Sequence, residues 1–314
     1  MAKTIEDLEK SRQIRQKVIR RFGEVPTSIW NISYGWGKST IELDSRKQQA
    51  VAKEKHKKMD YNIKKFTTQG GQEKEYNQQL SCFATSSQNV RGKSGGLSTF
   101  PPDLCRKVVE FYTEENDTVL DPCMGHASRI ETAFKLKRNY IGYDICFMDF
   151  NRKIADILLG KTGQSLLFKP SNEIKLYEHS SEKMHEVQDG SVDLAFTSPP
   201  YFSIEFYNDH PDQLGYGKTY EQFLEGLYKV IAECYRCLKP NKFIVFNVND
   251  FRKDGDFYMY HADTARLIQK AGFKLWDIVI IPWQSCIGAC FAGQIWERKV
   301  TAKKHEFLII GRKV

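Results

Sequence analysis

The sequence predicts a doubly wound, mostly parallel α/β sheet that carries a basic N-terminal extension. Three observations lead there. From residue 98 onward, short apolar runs alternate with amphipathic stretches, the pattern of repeated β/α units. Two of those runs end in an acid, Asp121 and Asp144, about twenty residues apart. A third, Ser191–Phe196, leads into Thr197-Ser198-Pro199-Pro200-Tyr201. In such sheets ligands bind off the C-terminal strand ends near a topological switch point. Asp121, Asp144 and Ser198 all fall at such ends.

Taken in order, residues 4–22 read as a helix, with Thr4 as cap, Asp7 at capping-box reach and an apolar stripe of Ile5, Leu8, Ile14, Val18 and Ile19. Gly23 ends it, and Val25–Trp30 is an extended link. Tyr34-Gly35-Trp36-Gly37-Lys38 combines rings, glycines and a base, suited to stacking on nucleobases or to plain packing. Ser45–Lys65 reads as a second helix, and Thr67–Gly96 as polar and irregular, with a loop at Ser86–Gly96. These features set a boundary between residues 1–96 and a main domain at 97–314.

In the main domain, Phe100-Pro101-Pro102-Asp103 opens a helix at Leu104–Tyr112. Thr118–Asp121 is a strand, Pro122–Ala127 a turn and Ser128–Leu136 a helix. Tyr140–Asp144 is the next strand, followed by a helix over Phe147–Leu159 and a strand at Ile174–His179. Val192–Phe196 precedes the Ser-Pro-Pro-Tyr stretch. Then come a helix at Tyr220–Leu238, a strand at Phe243–Asn247, a helix at His261–Ala271 and strands at Lys274–Pro282 and Glu306–Ile310.

Composition narrows the function. The chain has 314 residues, 41% hydrophobic and 27% charged, as in ordinary globular proteins. It has no apolar run of about 18 residues, which argues against a transmembrane helix. The start, Met1–Asp7, lacks a signal-peptide layout, so a cytoplasmic protein with no membrane association is expected. Eight cysteines in a chain this long do not make a disulfide framework. Cys234-x-x-Cys237 and Cys286-x-x-x-Cys290 could supply thiolates, but the first pair lies in an amphipathic helix without knuckle turns, so no metal is expected. Residues 1–95 carry 19 Lys/Arg against 10 Asp/Glu, whereas the remainder carries 28 against 29. The basic excess sits wholly in the N-terminal third, the footprint of a polyanion partner such as nucleic acid, or of a solvated basic helix.

The chemistry concentrates at the strand tips. Prolines at 199 and 200 fix φ and hold their neighbours extended, so carbonyls there remain available as acceptors while Tyr201 offers a flat face. That makes a pocket for a planar group bearing an amine. Gly125, in Asp121-Pro122-Cys123-Met124-Gly125, lets backbone approach a ligand, and Asp144 is placed to accept from the two hydroxyls of a ribose.

Phe100-Pro101-Pro102, Asp121-Pro122-Cys123-Met124-Gly125, Asp144 and Ser198-Pro199-Pro200-Tyr201 resemble the motifs of S-adenosylmethionine-dependent DNA amino-methyltransferases. Within that family the chain looks most like the small methylases of phages and prophages. Tyr207-x-Asp209-x-Pro211 and Lys304-His305-Glu306 also fit. The resemblance covers about residues 97–314 and implies the seven-stranded, Rossmann-like methyltransferase sheet. It implies that Thr99, Phe100 and Pro101 line the methionine end of S-adenosylmethionine. Asp121, Pro122, Cys123 and Gly125 would form the turn beneath the cofactor, and Asp144 would hold its ribose. Ser198 and the carbonyl of Pro199, stiffened by Pro200, would accept from the exocyclic amine of a base flipped out of duplex DNA, with Tyr201 stacked on its ring. No metal and no covalent intermediate are implied.

The chain departs from the family pattern at His126 and Ala127, where glycine is usual, and at Glu178–Ser181, where no acid can be assigned to the cofactor. Ser198 stands where the family uses Asp or Asn for adenine N6 and tends to use Ser for cytosine N4. Cytosine N4 is therefore favoured, with adenine N6 as the alternative. An RNA or protein amide methylase, and then a non-catalytic nucleic-acid-binding protein of the same fold, remain rival readings. His305 and Glu306 fit a contact near the target base or a strand cap, and Arg252 at the rim could meet phosphate. Trp283 and Trp296 are expected in the core, ahead of a DNA-facing loop. No separate recognition domain is visible, and a homodimer is compatible with the sequence.

Overall fold

The computed structural model describes residues 5–22, 25–32, 63–67, 73–77, 100–125, 127–146, 148–161, 171–202, 210–215, 218–283 and 292–314. Expectations for Thr4, Gly23, Tyr34–Lys38, most of Ser45–Lys65, Ser86–Gly96, Thr99, His126, Tyr207, Asp209 and Cys286–Cys290 lie outside the described residues.

Seven strands form one sheet: β3 (Thr118–Asp121), β4 (Asn139–Tyr143), β5 (Ile174–Tyr177), β6 (Val192–Thr197), β7 (Leu238–Val248), β10 (Lys274–Pro282) and β11 (His305–Arg312). Their spatial order is β10-β11-β7-β6-β3-β4-β5. The ladders β5–β4, β4–β3, β3–β6 and β6–β7 are parallel, and β11 runs antiparallel to both its neighbours. The chain winds outward from β3 through β4 to β5, then returns to β6 beside β3 and winds the other way. The switch point therefore lies between β3 and β6, and in doubly wound sheets ligands bind off the C-terminal ends of the strands at such a point.

Helices cover both faces. On one, α2 (Pro102–Tyr112), α3 (Ser128–Lys135) and α4 (Met148–Leu158) bury Leu104, Val108, Ile130 and Ile154 against Val119, Leu194 and Val245. Pro102 opens α2, where a missing N–H costs nothing. On the other face, α5 (Tyr220–Cys237) and α6 (Tyr260–Lys270) bury Phe223, Leu227, Ile231 and Ile268 against Ala195, Ile244 and Phe246. Thr219 and Gln222 close a reciprocal capping box at the start of α5. Gly142 has a packing reason: a Cβ there would stand 2.5 Å from Met124 Sδ, so only glycine lets the turn after β3 lie on β4.

The N-terminal third differs most from expectation. Helix α1 (Ile5–Phe22) forms as expected. However, residues 63–65, expected to end a second helix, lie in β1 (Ile63–Thr67), which pairs with β2 (Glu73–Asn77) in an antiparallel hairpin. Segments of residues 1–96 also touch the main domain. Trp30 N–H donates to the Ile280 carbonyl at 3.0 Å and Ile280 N–H to the Ser28 carbonyl at 2.8 Å. Trp30 and Ile32 are buried in the α2-side core, and Arg21 pairs with Glu114 at 2.8 Å.

Elsewhere β7 begins five residues earlier than Phe243, directly at the end of α5. A short hairpin, β8 (Phe251–Lys253) and β9 (Asp256–Tyr258), turns at Asp254-Gly255, both with positive φ of 53° and 99°. That Asp-Gly pair is a hairpin signal legible in the sequence. Helix α7 (Ala292–Arg298) precedes β11, and its Trp296 is 74% exposed, so it is a surface ring rather than a core one. Among the described residues no helix is long and apolar enough to cross a membrane.

Candidate active site

At the tip of β3 the Asp121 carboxylate is fully buried and saturated with donors. Arg129 Nε donates to it at 2.5 Å, Tyr140 hydroxyl at 2.7 Å and Thr197 hydroxyl at 2.7 Å, with Cys123 N–H at 3.3 Å. Arg129 also donates to the Cys123 carbonyl at 2.6 Å and lies over the Phe100 ring, 4.8 Å from its centroid. Phe100 in turn meets Phe196 edge-on at 5.5 Å. This cluster brings Phe100, Asp121, Cys123 and Thr197 together from separate chain segments. Asp121 therefore ties β3 to β6 and shapes the turn, rather than offering its oxygens to a ligand. Pro122 is buried in that turn, and desolvation pushes the Cys123 thiol up, so it is inert packing. Cys234 and Cys237 are buried on α5, and burial raises both thiols.

Asp144 stands one residue beyond β4. Gly125 N–H donates to its Oδ2 and Cys146 N–H to its Oδ1, each at 2.7 Å. Burial pushes the carboxyl up to about 6, partly opposed by those two backbone donors. Gly125 has φ +53°, and the space its Cβ would take is open. Its carbonyl accepts from Asn151 Nδ2 of α4 at 2.8 Å, while Asn151 Oδ1 is buried and unpartnered. Sequence reasoning missed Asn151 because no motif marks it. The cradle of Gly125, Asp144 and Asn151 fits a ribose-bearing cofactor: an open glycine, a carboxylate with one lone pair per oxygen still free and an acceptor awaiting a donor.

Across the switch point, Ser198, Pro199, Pro200 and Tyr201 leave β6 outside any regular element, with Ser198 half-buried and Pro199 buried beside it. The Pro200 carbonyl accepts from Tyr260 hydroxyl at 3.4 Å, so it is not a free acceptor. Tyr201 is half-buried, held edge-on by Tyr260 at 5.9 Å and Phe251 at 6.3 Å, which fixes its ring plane.

Beyond β7, Asn247 Nδ2 donates to Glu306 Oε2 at 2.5 Å, and Trp283 Nε1 donates to Glu306 Oε1 at 2.7 Å. Glu306 is thus neither a strand cap nor exposed; burial raises its pKa, opposed by those two donors. His261 Nδ1 and Asp250 Oδ1 lie 2.6 Å apart, and Lys303 approaches Asp250 Oδ2 at 3.6 Å. Arg252 is exposed over the Phe257 ring at 4.8 Å, open to solvent as a phosphate contact requires. After β5, His179 pairs with Glu186 at 2.8 Å and Tyr143 hydroxyl donates to Glu186 at 2.9 Å, so this stretch offers an imidazole where an acid was sought. A separate cleft of about 440 Å³ lies before β3, lined by Arg21, Glu114, Lys137 and Arg138, at the opposite end of the strands.

A family model described as DNA methylase matches residues 4–146 and 192–313, so the likeness reaches back well before residue 97. Among curated proteins, the Type II beta methyltransferase M.BslI of Bacillus sp. (strain NEB-606) is 30% identical over 118 residues, 34% of this chain and 12% of the relative. The Type II methyltransferase M.MthZI of Methanothermobacter thermautotrophicus is 27% identical over 160 residues, 44% of each chain. The match thus spans less than half the length of these relatives. Among solved structures, a DNA modification methylase from Thermus thermophilus in complex with S-adenosyl-L-methionine is 29% identical, covering 42% of this chain and 52% of that one, with a TM-score of 0.32. An S-adenosylmethionine-dependent methyltransferase from Methanosarcina mazei is 15% identical, covering 69% and 99%, with a TM-score of 0.42.

Proposed function

This chain belongs to the DNA methylase family of N6- and N4-amino-methyltransferases, and from that premise we propose that it methylates the exocyclic N4 amine of cytosine in DNA. The observation that carries the reading is the pairing of Gly125/Asp144 and Ser198–Tyr201 on either side of one switch point.

Asp144 would hold the ribose hydroxyls of S-adenosylmethionine, and Asn151 would take a further donor. Bound there, S-adenosylmethionine supplies an electrophilic methyl group on a positively charged sulfur. Every other step falls to the chain. Tyr201, its plane fixed by Tyr260 and Phe251, stacks on the flipped base. Ser198 Oγ and the Pro199 carbonyl accept from the two amine hydrogens. That draws the nitrogen lone pair out of conjugation with the ring and aims it across the switch point. Positioning and electrostatics then do the work. Cytosine is favoured because Ser198 stands at the position where related amino-methyltransferases tend to carry Ser for cytosine N4 and Asp or Asn for adenine N6.

Purified protein, labelled S-adenosylmethionine and unmodified duplex DNA test the reading. Nucleoside mass spectrometry should show N4-methylcytosine. N6-methyladenine would move the target to adenine, and label in RNA or protein but never in DNA would overturn the DNA reading.

A further inference from the structure

We propose that Asn247 is a positioning residue that takes the hydroxyl proton of Ser198, leaving the Ser198 lone pair to face the target amine. The proposal rests on the reading of Ser198 as an amine acceptor. A serine hydroxyl is both donor and acceptor. If its proton points at the amine, two N–H groups and an O–H confront one another and the contact fails. Something must hold that proton on the far side, and it must be an acceptor.

The sheet places one there. β6 and β7 are in parallel register at Thr197↔Phe246, so Ser198 stands beside Asn247 one step beyond the last ladder pair. Leu194, Phe196 and Val245 face the α2-side core. Strand alternation puts Ser198 and Asn247 at the end of that same face. Adjacent strands lie about 4.8 Å apart, a gap that a hydroxyl rotated toward β7 can bridge. Asn247 is 2% exposed, and its Oδ1 is buried without a hydrogen-bond partner. A buried acceptor left empty is costly, and such groups are rare in folded proteins.

The orientation of the amide is also fixed. Glu306 Oε1 already accepts from Trp283 Nε1, and Glu306 Oε2 accepts from Asn247 Nδ2. With its nitrogen held by Glu306, Asn247 must present oxygen to the rim. The row Trp283, Glu306, Asn247, Ser198 thus runs from a fixed donor to the reacting nitrogen, with one acceptor position open. An amide oxygen is neutral, so it orients the hydroxyl without adding charge beside the sulfonium.

Asn247→Leu removes the acceptor with the same branched shape, and the double variant Asn247→Asp with Glu306→Gln exchanges amide and carboxylate, keeping an oxygen toward Ser198 and a donor between the two side chains. Single-turnover methylation of duplex DNA should slow about 10- to 100-fold in Asn247→Leu, with cofactor Kd and DNA KM held within about threefold, the cost of one unsatisfied polar group at the reacting centre. The Asn247→Asp/Glu306→Gln double variant should recover most of the lost rate. Calorimetric cofactor binding reports that the Leu variant is folded. Two results overturn the proposal: an unchanged rate in Asn247→Leu, or a loss confined to DNA KM. A wild-type protein that methylates no DNA overturns the reading of Ser198 itself, and this proposal with it.

Discussion

Two buried carboxylates stand at the rim of one sheet, and they are treated oppositely. At the tip of β3, Asp121 is matched by the Arg129 guanidinium and by two hydroxyls, and every oxygen is used. Beside β7, Glu306 has the N–H groups of Asn247 and Trp283, and no described Lys, Arg or His forms an ion pair with it. The first arrangement is a closed knot that joins β3, β4, α3 and β6 and needs nothing further. The second ends in an amide oxygen that nothing occupies. The Asp121 cluster is complete within the folded chain, whereas the Glu306 cluster leaves one acceptor unfilled, as Asn151 Oδ1 is beside Asp144.

The largest effect should come from untying the knot. Arg129→Ala leaves a buried, uncompensated carboxylate and should destabilise the protein by about 3–5 kcal/mol, read from urea unfolding. A variant of near wild-type stability would mean that Asp121 is not sealed, and the contrast would collapse.

Next in size is Tyr201→Ala on the open half. Loss of the stacking face should weaken productive DNA binding by about 1–3 kcal/mol, seen as a raised KM for DNA, with cofactor Kd unchanged. An effect on the cofactor instead would show that the two halves are not separable.

Asp144 links pH to the cofactor. Its carboxyl titrates at about 6 in the folded protein, above the ordinary 3.8. The ribose hydroxyls need the carboxylate, so affinity should be constant well above pH 6 and fall by up to about tenfold per unit below it. Asp144→Asn should bind more weakly and lose that slope. In the free protein the same raised pKa means the folded state holds a proton the unfolded chain releases. This group's contribution to stability is therefore greatest in acid and declines as pH rises through about 6.

The smallest effect is expected at Glu306. Glu306→Gln removes a buried charge that has no cation, so stability should stay within about 1 kcal/mol of wild type. Because burial raises the Glu306 pKa, the balance should tilt further toward the variant as pH rises. A loss as large as that of Arg129→Ala would erase the distinction between the two carboxylates.

Much of the frame was legible beforehand. The alternation from residue 98 located all seven main strands, and their acid or Ser-Pro-Pro-Tyr endings marked the tips that the fold brings to one rim. The misses have local reasons. Lys- and Gln-rich residues before 65 suggested a helix, yet Ile63–Thr67 found a strand partner in Glu73–Asn77. Trp30 sat in what read as an extended link, and its burial follows from pairing beside Ile280 of β10 and packing against Phe111 of α2.

What the sequence alone determined is what depends on neighbours along the chain: periodicity, proline stiffening after β6, the glycine turn and the acids at strand ends. What only the tertiary structure decided is which of those groups are already spent. Asp121 and Asp144 look alike as strand-terminal acids, but Arg129 and Tyr140 close over the first, while the second is held by the backbone N–H groups of Gly125 and Cys146. Asn247, Asn151 and Glu306 carry no motif strong enough to announce them. Their roles follow from which donors reach them across strands, and a hydrogen bond between residues 59 apart, such as Asn247 to Glu306, exists only once β7 and β11 are paired.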